Sequence, residues 1–429
     1  MEKLVIDNFL AIEHAEIEIK KINLFIGPQA QGKSLISKLI YFFKEYPRTM
    51  IEAVEQGSFV REEFDQFVLD KFIKIFPKYT WEDRSFRVTY ECDHYSVSIT
   101  NSPVDNENGS KSKLVFALQG YDVFLAAFEK FVVEYKSFDD AFSYNNFTQE
   151  GIDCESIMME WLDTDYLETC LYVPAGRSFF ATVEKNIFSF LSSEITIDYF
   201  LVLFGKYYNN TKEAIKRGFY DNLDIKDEQR IRIERLVKQI ICGDYLFENK
   251  QSWIISEKGR TNIVDASSGQ QEALPIALLL SKLPYSTTHH FLIEEPETHL
   301  FPVSQNEIVL LIADAYNYLR SHGQSGSSGN SFTIATHSPY ILTAFNNLIQ
   351  AGNVAASKNY EDLDELRAVV PESEWVDFND VTAYVVDNGT VKPILNHELK
   401  LIQANMIDEV SNQLSEKFRK LLHMEVIDE

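Results

Sequence analysis

Eight residues near the start of the chain, Gly27-Pro28-Gln29-Ala30-Gln31-Gly32-Lys33-Ser34, match Gly-x-x-x-x-Gly-Lys-Ser at every required position. The flanking sequence suits such a loop. Ile22 to Ile26 is a compact apolar strand that runs directly into Gly27, and Ile36, Leu39, Ile40 and Phe43 recur with helical spacing after Ser34. Strand, glycine loop and helix together form a phosphate cradle. The glycines let backbone N–H groups, including those of Gln29 and Gln31, turn toward phosphate oxygens. The helix beginning at Lys33 adds the positive end of its dipole. Lys33 supplies a charge for the β and γ phosphates, and Ser34 a hydroxyl for Mg²⁺. By composition alone the pattern arises in roughly one chain of this length in a hundred. Its context makes chance a poor explanation, so ATP and Mg²⁺ are the expected cofactors.

The chain has 429 residues, more than one hydrophobic core of ordinary size accommodates. Its formal net charge is -25, which disfavours tight DNA binding by the surface as a whole but leaves room for a local basic patch. Cys92, Cys154, Cys170 and Cys242 show no metal or disulfide spacing. Acids lie close to Met1, and no run approaches the roughly 20 apolar residues of a membrane span. A bacterial cytoplasmic location and no membrane partner are expected.

Along the chain, Leu4–Ile6 and Ile17–Ile19 read as an opening hairpin. Residues 50–80 read as amphipathic helix, Phe86–Thr100 as β with a turn at Asp93, Asn101–Ser112 as a loop, and 113–118 as a strand. Helix-like sequence follows over 121–140, and Tyr172-Val173-Pro174 closes a strand. Residues 185–241 read as helical, with cationic segments at Lys212–Arg217 and Lys226–Lys238. From Lys206 to Lys238 there are nine Lys or Arg against six Asp or Glu, a local excess of +3. Strands are expected at 243–264, 291–295 and 332–336, and helices at 270–283 and 303–319. A hairpin (382–386 with 390–394) and a helix over 397–423 complete the pattern, and no internal repeat is evident.

Three further motifs carry chemistry. Phe291-Leu292-Ile293-Glu294-Glu295-Pro296 ends an apolar strand in two carboxylates, one placed to hold Mg²⁺ and the next to orient water or act as general base. Ser267-Ser268-Gly269-Gln270-Gln271 precedes a helix and offers a second N-terminus for phosphate, though an ordinary capped helix start would look the same. His337 follows the next strand in Thr336-His337-Ser338-Pro339, where an imidazole can meet a γ-phosphate.

A phosphate loop, Ser-Ser-Gly-Gln-Gln, Glu-Glu-Pro-Glu and Thr-His-Ser-Pro, in that order, resemble the ABC-type ATPase heads of the SMC, RecF and OLD group. The resemblance covers roughly 1–45, 165–180 and 240–345. It implies an α/β P-loop head with an antiparallel β lobe and a short helical insertion. Its halves are 1–184, carrying an insert at about 50–165, and 242–429, separated by helical residues 185–241. Ser267, Ser268, Gly269 and Gln270 then match the signature motif, Glu294 the Walker B acid, Glu295 the catalytic glutamate and His337 the switch histidine. It also implies a homo-oligomer, at least a dimer, in which two heads sandwich two ATP molecules. The glutamine of the usual Q-loop is not evident. Val173-Pro174-Ala175-Gly176-Arg177-Ser178 occupies its place, and Arg177 either faces phosphate or braces the lobe.

The chain lacks the long coiled coil of true SMC proteins and the C-terminal nuclease of OLD proteins; after His337 roughly ninety residues remain. This compact form resembles ATPases of bacterial anti-phage defence modules of the PARIS and Septu types. That implies slow ATP hydrolysis, a separate nuclease effector held by the ATPase, and a phage-encoded trigger. The alternatives are a DNA-repair or chromosome-maintenance ATPase acting directly on DNA, and a scaffold that binds ATP but barely hydrolyses it.

Overall fold

The computed structural model describes residues 2–56, 60–93, 95–102, 104–106, 109–111, 114–119, 168–181, 197–218, 225–286, 288–322, 329–357, 362–403 and 416–420. The helix expected at 121–140, Cys154 and parts of the 185–241 segment lie outside them.

The N-terminal strands are β1 (Glu2–Phe9), β2 (Ile12–Ile19), β3 (Ile22–Ile26), β4 (Phe86–Glu91) and β5 (Ser96–Asn101). A small ribbon, β6 (Val104–Asn106) and β7 (Gly109–Lys111), precedes β8 (Leu114–Gln119) and β9 (Thr169–Val173). A meander of β10 (Asp244–Glu248), β11 (Gln251–Ser256) and β12 (Gly259–Asn262) leads to β13 (His289–Glu294), β14 (Ser331–Thr336), β15 (Val381–Asp387) and β16 (Thr390–Pro393). Two short strands, β17 (Leu395–Asn396) and β18 (Leu401–Ile402), follow. Eleven strands form one sheet in the order β8-β5-β4-β1-β2-β16-β15-β3-β14-β13-β9. Strands β15, β3, β14, β13 and β9 run parallel; the β1, β2, β4, β5 and β8 end is antiparallel.

The burial patterns explain this division. All six residues of β13 and of β14 are buried, as expected of strands covered on both faces. In contrast, β2 alternates exposed Glu13, Glu16 and Glu18 with buried Ile12, Ala15, Ile17 and Ile19, so its other face meets water. Alternate side chains of the parallel strands feed two cores. Phe25, Tyr172 and Leu292 join helices α1 (Lys33–Lys44), α2 (Tyr46–Glu55) and α3 (Arg61–Ile75), in a core rich in Phe and Tyr. Leu24, Leu171, Val173, Phe291 and Ile293 join the opposite core with α4 (Tyr199–Lys216), α5 (Asp227–Ile241), α6 (Ser268–Leu280), α7 (Pro302–His322) and α8 (Pro339–Ala355). The cationic helices α4 and α5 are therefore packed into the head through Phe204, Tyr208, Ile233 and Leu236. A short α9 (Leu363–Val369) follows. The expected α/β P-loop head with an antiparallel lobe is the fold found.

Two local expectations are corrected. The 101–112 stretch holds the β6–β7 ribbon, in which Val104 pairs with Lys111, Asp105 with Ser110 and Asn106 with Gly109, so these polar residues satisfy one another's backbone groups. The helix expected from 397 begins too early: Asn396 Oδ1 caps the Glu398 and Leu399 N–H groups, and the chain turns back so that Leu401 and Ile402 pair with Asn396 and Leu395.

At the N-terminal ends of the parallel strands lies a half-buried charged network. Lys44 Nζ contacts Glu2 (2.8 Å) and Glu168 (2.9 Å), Tyr90 OH donates to Glu2, and Ser331 Oγ donates to Glu168 at 2.5 Å. His290 Nδ1 meets Ser331 Oγ at 2.7 Å and its Nε2 meets Thr333 Oγ1 at 2.8 Å. Burial would raise the Glu168 carboxyl, but Lys44 and His290 hold it well below the usual carboxylate range. Burial lowers His290. The parallel strands direct their opposite, C-terminal ends toward the site described next.

Candidate ATP site

The loop after β3 is shaped by close packing. A Cβ on Gly27 would lie 2.0 Å from the Val386 carbonyl oxygen of β15, and one on Gly32, whose φ is +105°, would lie 2.8 Å from Ile12 Cδ1. Gln31 Oε1 accepts the Asn388 N–H at 2.8 Å, which ties the loop to the β15–β16 turn. The backbone N–H groups of Gln29 through Leu35 have no protein acceptor among the described residues. Unpaired donors converging at a helix start are what a phosphate chain needs. The loop lines a cleft of about 480 Å³ with Leu10, Ala11, Glu295 and His337.

Lys33 is drawn inward. Its ammonium donates to the Gly27 and Pro28 carbonyls at 2.8 and 2.6 Å and lies 3.3 Å from His337 Nδ1. Burial lowers its pKa, while Glu295 and Glu297 oppose the shift. Because Lys33 can only donate, His337 Nδ1 accepts, which assigns the ring proton to Nε2. That nitrogen faces Glu295 Oε1 at 3.3 Å. Thr298 Oγ1 donates to the other Glu295 oxygen at 3.1 Å. The strand expected to reach Glu295 ends at Glu294 instead. Glu295 turns into the left-handed region at φ +42°, with its N–H on the Ala335 carbonyl at 2.8 Å. A side chain held in that conformation marks a place where the surroundings overdetermine the backbone.

Glu294 points elsewhere. Its Oε1 accepts the Tyr172 hydroxyl at 2.6 Å and its Oε2 the Ala175 N–H at 3.3 Å, and it is buried. Among the described residues, no group of three or more His, Cys, Asp or Glu side chains could hold a metal without help. Ser34 offers an exposed hydroxyl in the cleft for Mg²⁺, which takes few protein ligands and completes its shell with phosphate and water, whereas Glu294, expected as a metal ligand, is turned away with both oxygens engaged.

Arg177 departs from its expected place among the nucleotide-binding residues. It is 1% exposed. Its guanidinium donates to the carbonyls of Pro174 (2.9 Å), Glu272 (3.0 Å), Glu294 (2.8 Å) and Glu295 (3.0 Å), and pairs with the Glu272 carboxylate at 3.6 Å. These contacts are those of the bracing alternative, made to the backbone that presents both acids. Glu272 in turn accepts the Arg177 and Ser178 N–H groups.

Ser267 to Gln270 lie outside the cleft lining of their own chain. Ser267 caps α6, in a capping box with Gln270. A Cβ on Gly269 would meet the His299 carbonyl oxygen at 2.7 Å, so this helix start packs on the segment following Glu295. Sequence reasoning assigned no role to Tyr172, Glu272, Glu297 or Thr298. Only Glu297, inside Glu-Glu-Pro-Glu, carried a signal that could have found it.

Residues 182–342 match the AAA ATPase domain family. That stretch, under half the chain, begins after the phosphate loop and takes in Ser267–Gln270, Glu294, Glu295 and His337. This similarity to an ATPase family does not depend on the loop, which lies outside the matched residues. No curated protein matches the chain. Among solved structures, an SMC head bound to the C-terminal winged-helix domain of ScpA is 11% identical, with 91% of this chain and 96% of that one covered and a TM-score of 0.42. The SMC head domain of Thermotoga maritima is 12% identical, with 91% and 97% covered and a TM-score of 0.35. The recombination mediator RecF is 10% identical, with 91% and 97% covered and a TM-score of 0.29.

Proposed function

We propose that the chain binds ATP with Mg²⁺ in the Gly27–Ser34 cleft and hydrolyses it slowly, as half of a two-chain site completed by Ser267–Gln270 of a second copy. One observation carries this reading: Lys33, His337 and Glu295 form an unbroken line of contacts across the loop, while the signature residues stand apart at another helix start. Mg²⁺ supplies charge neutralisation at the phosphates. The protein's own groups do the rest. Glu295, oriented by Thr298 and His337, accepts a proton from the attacking water. Lys33 gives up carbonyl contacts for phosphate, and the unpaired loop N–H groups are already aimed. Lys33→Ala should abolish ATP binding; wild-type affinity in that variant, by equilibrium titration, would sink the proposal.

The output of this cycle is, in our reading, control of a separate nuclease effector on sensing a phage product. It rests on the resemblance to defence ATPases and on the net charge of -25. The DNA-maintenance reading draws on the +3 of residues 206–238. Three of those nine cations are engaged: Lys212 is buried, Arg232 pairs with Glu374, and Lys238 pairs at the surface with Asp244 at 2.8 Å. Titration with linear DNA at physiological salt separates the two. Stimulation of ATPase with a steep salt dependence would overturn the effector reading.

A further inference from the structure

Beside the catalytic line stands a third carboxylate, which so far has no task. Glu297 lies two residues past Glu295, and its Oε1 accepts the main-chain N–H of His337 at 2.6 Å. This joins the segment leaving β13 to the segment leaving β14 at the residue whose imidazole lies between Lys33 and Glu295. The bond fixes where the His337 backbone sits, and through it both ring contacts. Glu297 is also close enough to Lys33 for its charge to oppose the fall in that lysine's pKa.

Its bonding differs from that of a carboxylate whose role is to hold the fold. Glu272 commits both oxygens to backbone N–H groups and pairs with Arg177. The one side-chain hydrogen bond of Glu297 among the described residues is the bond to His337, and its other carboxylate oxygen is buried with no protein partner. A half-buried carboxylate used once, at the main chain of His337, is placed to set a geometry.

We propose that Glu297 is a positioning residue for ATP hydrolysis: it holds the His337 backbone so that the imidazole bridges Lys33 and Glu295. This rests on the ATPase reading above. It is a separate claim, because ATP grip belongs to the loop and Glu297 is absent from the cleft lining. The bond needs an acceptor and no charge, so Gln can replace Glu.

The test uses the full chain, in steady-state ATPase assays and equilibrium binding of ATP with Mg²⁺. Glu297→Ala should lower kcat at least tenfold, with KM and the ATP dissociation constant within about twofold of wild type. Glu297→Gln should recover most of that kcat. Unchanged kcat in Glu297→Ala, a parallel loss of ATP affinity, or Glu297→Gln as slow as Glu297→Ala would each overturn the proposal. Thermal melts identify an alanine variant that has unfolded, and in that case the Gln variant, with its acceptor retained, decides. A wild-type chain without ATPase activity would instead fail the function itself, before either variant is made.

Discussion

Replacing Arg177 by Met separates the two roles open to this residue in the sequence. Met fills much of the same volume but removes every guanidinium bond. The structure shows four donor contacts to carbonyls and a 3.6 Å pair with Glu272, all inside a site where Arg177 is 1% exposed. Truncating one partner of a buried ion pair costs about 3–5 kcal/mol, because the remaining charge is left without compensation. Here Glu272 keeps two N–H donors, so the low end, about 3 kcal/mol, is expected. With a urea m-value of about 3 kcal/mol/M, the unfolding midpoint should fall by about 1 M. Arg177 also holds the Glu295 carbonyl, and Glu295 sits at φ +42°. Releasing that clamp lets the residue relax, so kcat should fall while ATP affinity stays within about threefold. Urea unfolding followed by tryptophan fluorescence, together with ATP titration, reads both quantities. A midpoint within about 0.2 M of wild type combined with a tenfold loss of ATP affinity would refute the brace and return Arg177 to the phosphates.

Other perturbations test other parts of the molecule. Glu295→Gln keeps the side-chain shape and the Thr298 contact but removes the base, so it should bind ATP without turnover and shift to a dimer or larger assembly by light scattering; monomers alone at saturating ATP would refute the two-chain site. Burial holds the His290 pKa below its unfolded value near 6.5, so the unfolded state binds the extra proton first. Stability is therefore full above about pH 6.5 and falls as the pH drops. His290→Gln should flatten the melting temperature between pH 7.5 and 5.5, and an unchanged slope there would reject this assignment. Glu168, whose folded pKa is depressed, loses its contribution only lower, as the pH falls below its unfolded value of about 4.3, so Glu168→Gln should flatten the acid limb below pH 4.5. An acid limb as steep as wild type would show that Lys44 is not its main partner.

How much of this was legible in sequence follows from how local each feature is. The phosphate loop and both parallel strands flanking it were readable, because an unbroken apolar run such as Phe291-Leu292-Ile293 reports burial on two faces. The 101–112 ribbon was missed because its two strands are three residues each and mostly polar, with no apolar alternation to mark them. The helix was placed from 397, too early, because two Asn396 side-chain bonds turn the chain back where helical propensity alone would extend it. The role of Arg177 was undecidable in sequence for a different reason. Its acceptors are backbone carbonyls of residues 174, 272, 294 and 295, and carbonyls leave no trace in side-chain identity.

The charged network under the sheet limits how the head can respond to nucleotide. Helix α1 begins at the phosphate loop and ends at Lys44, which Glu2 of β1 and Glu168 ahead of β9 hold from two sides. Tilting α1 would separate these half-buried charges, so the contacts tie the far end of the helix to the antiparallel lobe. The contacts free to rearrange lie at the other end of the strands. Lys33 holds carbonyls that phosphate can replace, and His337 makes its two ring contacts at 3.3 Å each, long for hydrogen bonds and cheap to remake. A change of nucleotide state should thus be felt first along Glu295 to Leu300, and that segment packs against Gly269 at the signature helix start. On the two-chain reading proposed above, His299 and Leu300, four and five residues past Glu295, would carry such a change to the helix start that a second copy reads.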